Sequence, residues 1–188
     1  MSRERGLRRP DVTSLELVGG LEALAVSLHD PDERWAEVYR EHEARIRAAL
    51  VGTDVLVEHI GSTSVPGLAA KPVVDVIVGV DDLTAEEDHV ALLVAAGYEL
   101  RVREPGHRLV RTPERDVHVH LYDRDDAAVD AYLLLRDHLR VDAEDRALYE
   151  RTKRELVDRS WDDTNAYADA KTEVIAAIVG RARRARGR

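Results

Sequence analysis

Three hydroxyl side chains held between two glycines, with one lysine and then one aspartate downstream, are the residues of this chain best suited by type and spacing to chemistry. They lie in HIGSTSVPGLAAKPVVDVIVGV, residues 59–80. Gly61 and Gly67 permit backbone shapes that other residues resist and can turn N–H groups toward an anion. Ser62, Thr63 and Ser64 add hydroxyl donors, and Lys71 adds a positive charge. The chemistry these types imply is phosphate binding. The spacing is not that of a P-loop, because Lys71 follows Gly67 by four residues. A tight turn between two strands accounts for the same residues without any chemistry.

Asp75 is the only charge between Lys71 and Asp81. An unpaired buried carboxylate costs on the order of several kcal/mol, so a metal ion, Lys71 or an opening to water must offset it. Period two puts Val73, Ile77 and Gly79 on its face of the strand. Two-metal phosphoryl-transfer sites use paired carboxylates, and the i+2 position here is apolar Ile77, so a metal would take its other ligands elsewhere. His118 and His120, in DVHVHLYD, share one strand face. They can bind a metal, contact phosphate oxygens or move protons near neutral pH. The expected catalytic set is therefore Asp75, Lys71, His118 and His120. Asp75, His118 and His120 are the expected ligands of Mg2+ or another divalent cation.

Other groups are candidates by type. Of Glu58 and His59, adjacent on a strand, only one can face the pocket. Arg103, His107, Arg108 and Arg111 surround a hairpin and could clamp an anion, with Arg108 assigned to the phosphate set; a solvated strand edge explains such residues equally. Only three of the 28 basic residues are lysines: Lys71, Lys153 and Lys171. Lysine is a compact point charge where arginine is a planar fork, so its rare use is a signal. Lys153 and Lys171 join Gly61, Ser62, Thr63 and Ser64 as phosphate-binding candidates. Each lies four residues after a tyrosine, Tyr149 or Tyr167, so a packed tyrosine beside a snorkelling lysine explains both pairs as well.

The elements that must position these residues are legible from periodicity. A strand is expected near 22–28. A helix follows over 31–50, with Trp35, Val38, Tyr39, His42, Ile46 and Leu50 on its apolar stripe. Residues 54–60 and 72–80 read as strands flanking the loop, with Pro72 opening the second. Thr84 and Glu87 read as a capping box that opens a helix stopped by Gly97. Three short strands over 98–104, 107–112 and 116–122 form an antiparallel meander. Helices follow over 127–140, 143–159 and 164–183, with Asp142 and Thr164 as caps. The class is α+β: a mixed sheet flanked by helices, then a helical C-terminal third.

The 188 residues suit a single domain, expected over 15–180 with its helical part at 126–180, between basic tails at 1–14 and 181–188. Cysteine is absent, which excludes disulfides and thiolate metal sites. No apolar run approaches the roughly 20 residues of a bilayer span, and the first residues lack the apolar core of a signal peptide, so a cytoplasmic protein is expected. The net charge is −9. Setting aside the nine arginines and one glutamate of residues 1–10 and 180–188 leaves 19 basic against 36 acidic side chains. Such an acidic body disfavours general nucleic-acid binding.

EHIGSTSVPGLAAKPVVDVIVGV resembles the signature of the GrpB family, in the nucleotidyltransferase superfamily. The resemblance continues through REPGHR, HVHLY, LRDHLR, YERTKRELV and AYADAKTEVI, across roughly residues 16–180. It implies a nucleotidyltransferase-like mixed sheet, with Gly61 and Ser62 as the superfamily's Gly-Ser pair and Asp75 as its first acidic ligand. Ile77 departs from the second acid, and His118 and His120 stand where a third is expected. The family also occurs fused to dephospho-CoA kinase. The implied function is metal-dependent nucleotidyl or phosphoryl transfer from a small phosphorylated ligand. Two alternatives stand beside it: a non-catalytic module that binds nucleotides or coenzyme A precursors, and an interaction protein that uses its C-terminal helices.

Overall fold

A computed structural model describes residues 9–20, 27–157 and 170–187. Six strands form one sheet: β1 (Glu16–Leu17), β2 (Leu56–Ile60), β3 (Val74–Val80), β4 (Glu99–Glu104), β5 (His107–Arg111) and β6 (Val117–Asp123). Their order is β1-β4-β5-β6-β3-β2. β3 and β6 run parallel, and the other neighbours are antiparallel. The expected meander is β4-β5-β6. Its first turn uses Gly106 at φ 74°, and its second places Arg115 at φ 65°.

Period two sorts each central strand into two faces. Val74, Val76, Val78 and Val80 of β3 and Val117, Val119 and Leu121 of β6 point one way. They form the main core with Trp35 and Ile46 of α1 (Arg34–Ala49) and Leu93 of α2 (Val90–Ala95). Asp75, Ile77, His118 and His120 point the other way, toward the helical third: α3 (Ala127–Val141), α4 (Ala143–Val157) and α5 (Thr172–Arg186). There Ile60, Ile77 and Val129 make a smaller cluster. A third cluster joins Val65 and Leu68 of the loop to Leu139, Tyr149 and Ile178. The three C-terminal helices therefore clasp the Gly-Ser loop through its own apolar residues. Among the described residues no helix is long and apolar enough to cross a membrane.

Several boundaries differ from expectation. The strand expected near 22–28 falls largely outside the described residues, and His29 makes an isolated bridge to Ala70. Pro31 precedes α1, whose first turn is held instead by Asp32 accepting from the Arg34 N–H at 2.9 Å. Pro72 precedes β3, which is led in by the Val74 N–H donating to Asp116 O at 2.8 Å. The capping box at Thr84 does not form. The Thr84 hydroxyl donates to Asp82 at 2.6 Å, a 3-10 turn occupies Glu86–Asp88, and His89 caps the short α2. Asp82, two residues back, also accepts from the Thr84 N–H at 3.0 Å, which places Thr84 inside a turn opened by Asp82 and not at a helix start. Gly97 ends that segment at φ 96° and Asp142 accepts from the Asp145 N–H at 2.8 Å, both as expected. Thr164 and Tyr167 lie outside the described residues. Helix α5 runs through Gly180 and on to Arg186, through residues expected as a tail, and ends at Gly187.

Gly61 fixes how closely the loop approaches the sheet. Its φ is 70°, and a Cβ there would lie 2.6 Å from Asp75 Oδ2. Gly52 also has positive φ, at 88°, with nothing within 4 Å of a Cβ. Left-handed backbone costs a non-glycine residue roughly 1–3 kcal/mol, and a clash adds to that. Gly61→Ala is therefore expected to lower urea-unfolding stability by at least about 2 kcal/mol more than Gly52→Ala.

Candidate functional site

Asp75 is the hub. Register places it between Ile60 on β2 and His118 on β6. Its Oδ1 lies 3.4 Å from His120 Nε2 and 3.7 Å from His118 Nδ1, and its side chain keeps 30% exposure. Burial pushes its pKa up. The hydrogen bond and positive charge at His120, with smaller contributions from His118 and Lys171, outweigh burial and hold the carboxyl below its usual range. Burial pulls His118 down to about 4 despite the attraction of Asp75. The ligating atoms of Asp75, His118 and His120 all lie within 4.8 Å of one another. One carboxylate and two imidazoles at that spacing fit a divalent cation. Ile77 is fully buried against Val129, so this strand offers no second carboxylate.

A second grouping of this kind, His138, Asp142 and Asp145, has a structural explanation. Asp145 is paired with Arg181 at 2.9 Å and with His138 at 2.7 Å, and Asp142 caps the Asp145 N–H. These contacts tie α3, α4 and α5 together.

Lys153 and Lys171 bring positive charge to the Gly-Ser loop and to Asp75. Lys153, on α4, is 2% exposed. Its Nζ donates to Ser62 Oγ at 3.1 Å and to the Ala69 carbonyl, and lies 4.9 Å from the centre of the Tyr149 ring. Its amine thus points inward at the Gly-Ser loop and does not snorkel. Burial, helped by the charge of Lys171, lowers its pKa to about 7. Lys171 precedes α5; burial pulls it down too, Asp75 opposes that, and Lys71 adds to it. All three lysines of the chain therefore act on one locus.

Other expected phosphate ligands have different roles. The Thr63 hydroxyl lies 3.1 Å from His59 Nε2 and donates to Val73 O at 3.3 Å; the Ser64 hydroxyl donates to Gly61 O at 2.6 Å. Both hold the loop in shape. Arg108 does not belong to the site. Strand parity turns it to the opposite face from His107 and Leu109, where it is 2% exposed. Its guanidinium binds Glu86 at 2.7 Å, Asp11 at 2.5 Å and Glu104 O at 2.8 Å. It serves as an internal tie for Asp11. Arg103 likewise pairs with Glu86 and Glu16. Glu58 faces the Asp75 side and pairs with Arg136 at 2.7 Å, whereas His59 faces away and stacks on Tyr39 at 4.7 Å.

His107 joins the site in a role that sequence reasoning missed. Its Nδ1 is 2.6 Å from Glu104 Oε1 and its Nε2 is 3.1 Å from His120 Nδ1. Its ring stacks on those of His120 and Tyr122, at 5.3 and 4.6 Å. Burial, then the neighbouring charge of His120, lower its pKa to about 4. The signal that could have found it is hairpin register: Leu109 opposes His120, so His107, two residues along, reaches His120 diagonally.

A helix-flanked mixed sheet, with a Gly-Ser loop delivering a lone carboxylate on the next strand, is a nucleotidyltransferase-like fold. Consistent with that, the structure of the Cid1 poly(U) polymerase bound to MgGTP superposes with a TM-score of 0.51 over 68% of this chain and 43% of that one, at 14% identity. The family is closer at hand. The family model described as "GrpB protein" matches residues 25–181, and the chain belongs to the GrpB family. A UPF0157 protein of Streptomyces coelicolor is 64% identical over 99% of this chain and all of its own length. The crystal structure of the conserved protein GrpB from Enterococcus faecalis is 28% identical, with a TM-score of 0.75 over 86% of this chain and all of that one.

The depressed Lys153 pKa has a consequence for stability. The folded amine titrates at about 7 and the ordinary value is 10.5, so between those limits the unfolded chain binds more protons. Folding stability therefore rises with pH across that window. Urea unfolding at pH 6, 8 and 10 is expected to show wild type gaining on the order of 3 kcal/mol relative to Lys153→Met by pH 10.

Proposed function

We propose that this protein binds a nucleotide or another small phosphorylated ligand and transfers its nucleotidyl or phosphoryl group, using a divalent cation at Asp75. The placing of Lys153 on Ser62, with Lys171 in electrostatic reach of Lys153, Asp75 and Lys71, carries this reading, since it groups the three lysines of a mostly arginine-using chain. Compact ammonium groups beside a glycine-flanked hydroxyl suit phosphate oxygens. Ser62 Oγ and Lys153 Nζ hold the phosphate, and Lys171 neutralises the charge between it and Asp75. Asp75, His118 and His120 hold the cation, which when bound supplies Lewis-acid neutralisation of a phosphoryl oxygen. Positioning and charge stabilisation by these groups account for most of the catalysis such transfer requires.

One observation favours a binding module without turnover: Ile77, buried, where paired-metal chemistry uses a second carboxylate. A coenzyme A precursor is a ligand to include, because a dephospho-CoA kinase of Mycolicibacterium paratuberculosis is 29% identical over 78% of this chain and 43% of its own length. The acidic body points to a small molecule in preference to a nucleic acid.

Thermal unfolding with inorganic triphosphate, nucleotides and coenzyme A precursors, each with and without a divalent cation, tests the reading. A bound ligand at 100 times its Kd is expected to add about 2.7 kcal/mol. Lys153→Gln should abolish the metal-free part of that gain, and Asp75→Asn the cation-dependent part. Equal gains in wild type and both variants would sink the assignment. Turnover with release of pyrophosphate or transfer of phosphate separates the enzyme from the binding module.

A further inference from the structure

We infer that the Asp75–His118–His120 site, with His120 backed by His107 and Glu104, selects a late first-row dication such as Zn2+ over Mg2+. This rests on the cation site of the proposed function and names its metal.

The chain of groups runs Glu104 Oε1, His107, His120, Asp75 Oδ1. Its separations are 2.6, 3.1 and 3.4 Å in that order. The run is continuous from Glu104 to the carboxylate, so the His120 ring is held from behind through Nδ1 and turns Nε2 toward Asp75 Oδ1.

The chemistry of the donors indicates which cation. Asp75 Oδ1 is 3.4 Å from His120 Nε2 and 3.7 Å from His118 Nδ1, and the three ligand atoms lie within 4.8 Å of one another. Two of the three donors are imidazoles, which suit zinc and cobalt, whereas Mg2+ takes oxygen ligands. Three protein ligands leave a fourth tetrahedral position for water or a ligand oxygen. A carboxylate–histidine pair behind a ligating imidazole is the outer arrangement that orients such a ligand and raises its basicity. Glu104 and His107 supply it from β4 and β5, two strands that hold none of the three ligands.

The test uses the untagged full chain, stripped with chelator and dialysed. Co2+ is titrated while its visible absorption band is followed, and Zn2+ and Mg2+ then compete it away. Zn2+ is expected to displace Co2+ at a concentration at least about 100-fold below that needed for Mg2+. Glu104→Gln and His107→Gln are expected to weaken Zn2+ binding about 10–100-fold, with inorganic triphosphate binding in metal-free buffer unchanged. Glu104 has a side chain 41% exposed, so its variant keeps the test intact if His107→Gln does not fold. Displacement by Mg2+ at concentrations comparable to Zn2+, or wild-type Zn2+ affinity in Glu104→Gln, overturns the inference. Selective Zn2+ binding by a protein that takes no phosphorylated ligand upholds the inference and overturns the nucleotide reading. Phosphate binding without a Zn2+ preference does the reverse.

Discussion

Asp75 occupies the space that a side chain at residue 61 would need, with its Oδ2 2.6 Å from where a Cβ would stand. That contact sets the distance between the Gly-Ser loop and the sheet. It requires a glycine with left-handed backbone on one side and a carboxylate on the other. A partly buried carboxylate in that position is kept ionised by its neighbours. The hydrogen bond with His120 of β6 and the charge of Lys171, from the segment before α5, favour that form. The rest of the molecule is arranged to bring those groups in.

The sheet does this by dividing its faces. Valines and leucines of β3 and β6 form a dry core with α1 and α2 on one side. The other side carries the titratable residues, and the C-terminal helices cover it only in part. The loop is gripped from outside by Leu139, Tyr149 and Ile178 through Val65 and Leu68. The helical third is therefore the other wall of the site. It brings Lys153 to Ser62 across 91 residues of sequence.

Burying Lys153 opposes folding at neutral pH, since its charge is drawn out of water and its pKa falls to about 7. On the opposite face of the sheet, Arg108 is buried as deeply but has Glu86 and Asp11 as full counter-charges. The contrast separates two uses of a buried cation. Arg108 closes a structural network between the N-terminal segment and the sheet. Lys153 is held by a hydroxyl, a carbonyl and a tyrosine face, with Glu150 as a more distant counter-charge.

The sequence by itself determined strands β2 to β6, helices α1, α3 and α4, and the shared face of Asp75, His118 and His120, because period two and period 3.6 are local properties of the backbone. It also singled out the lysines, by rarity. It misassigned Arg108, whose partners Glu86 and Asp11 lie 22 and 97 residues away and are brought near only by the fold, and the Thr84 cap, where Asp82 two residues back draws the threonine into a turn. It left Thr63 and Ser64 undivided from Ser62, since a hydroxyl's type does not say whether it turns to its own loop or outward. Tertiary structure alone decided that Lys153 points inward, that Lys171 meets Asp75 and that His107 backs His120. Each of those contacts joins separate elements, and their approach is fixed by packing and strand register, which no local pattern encodes.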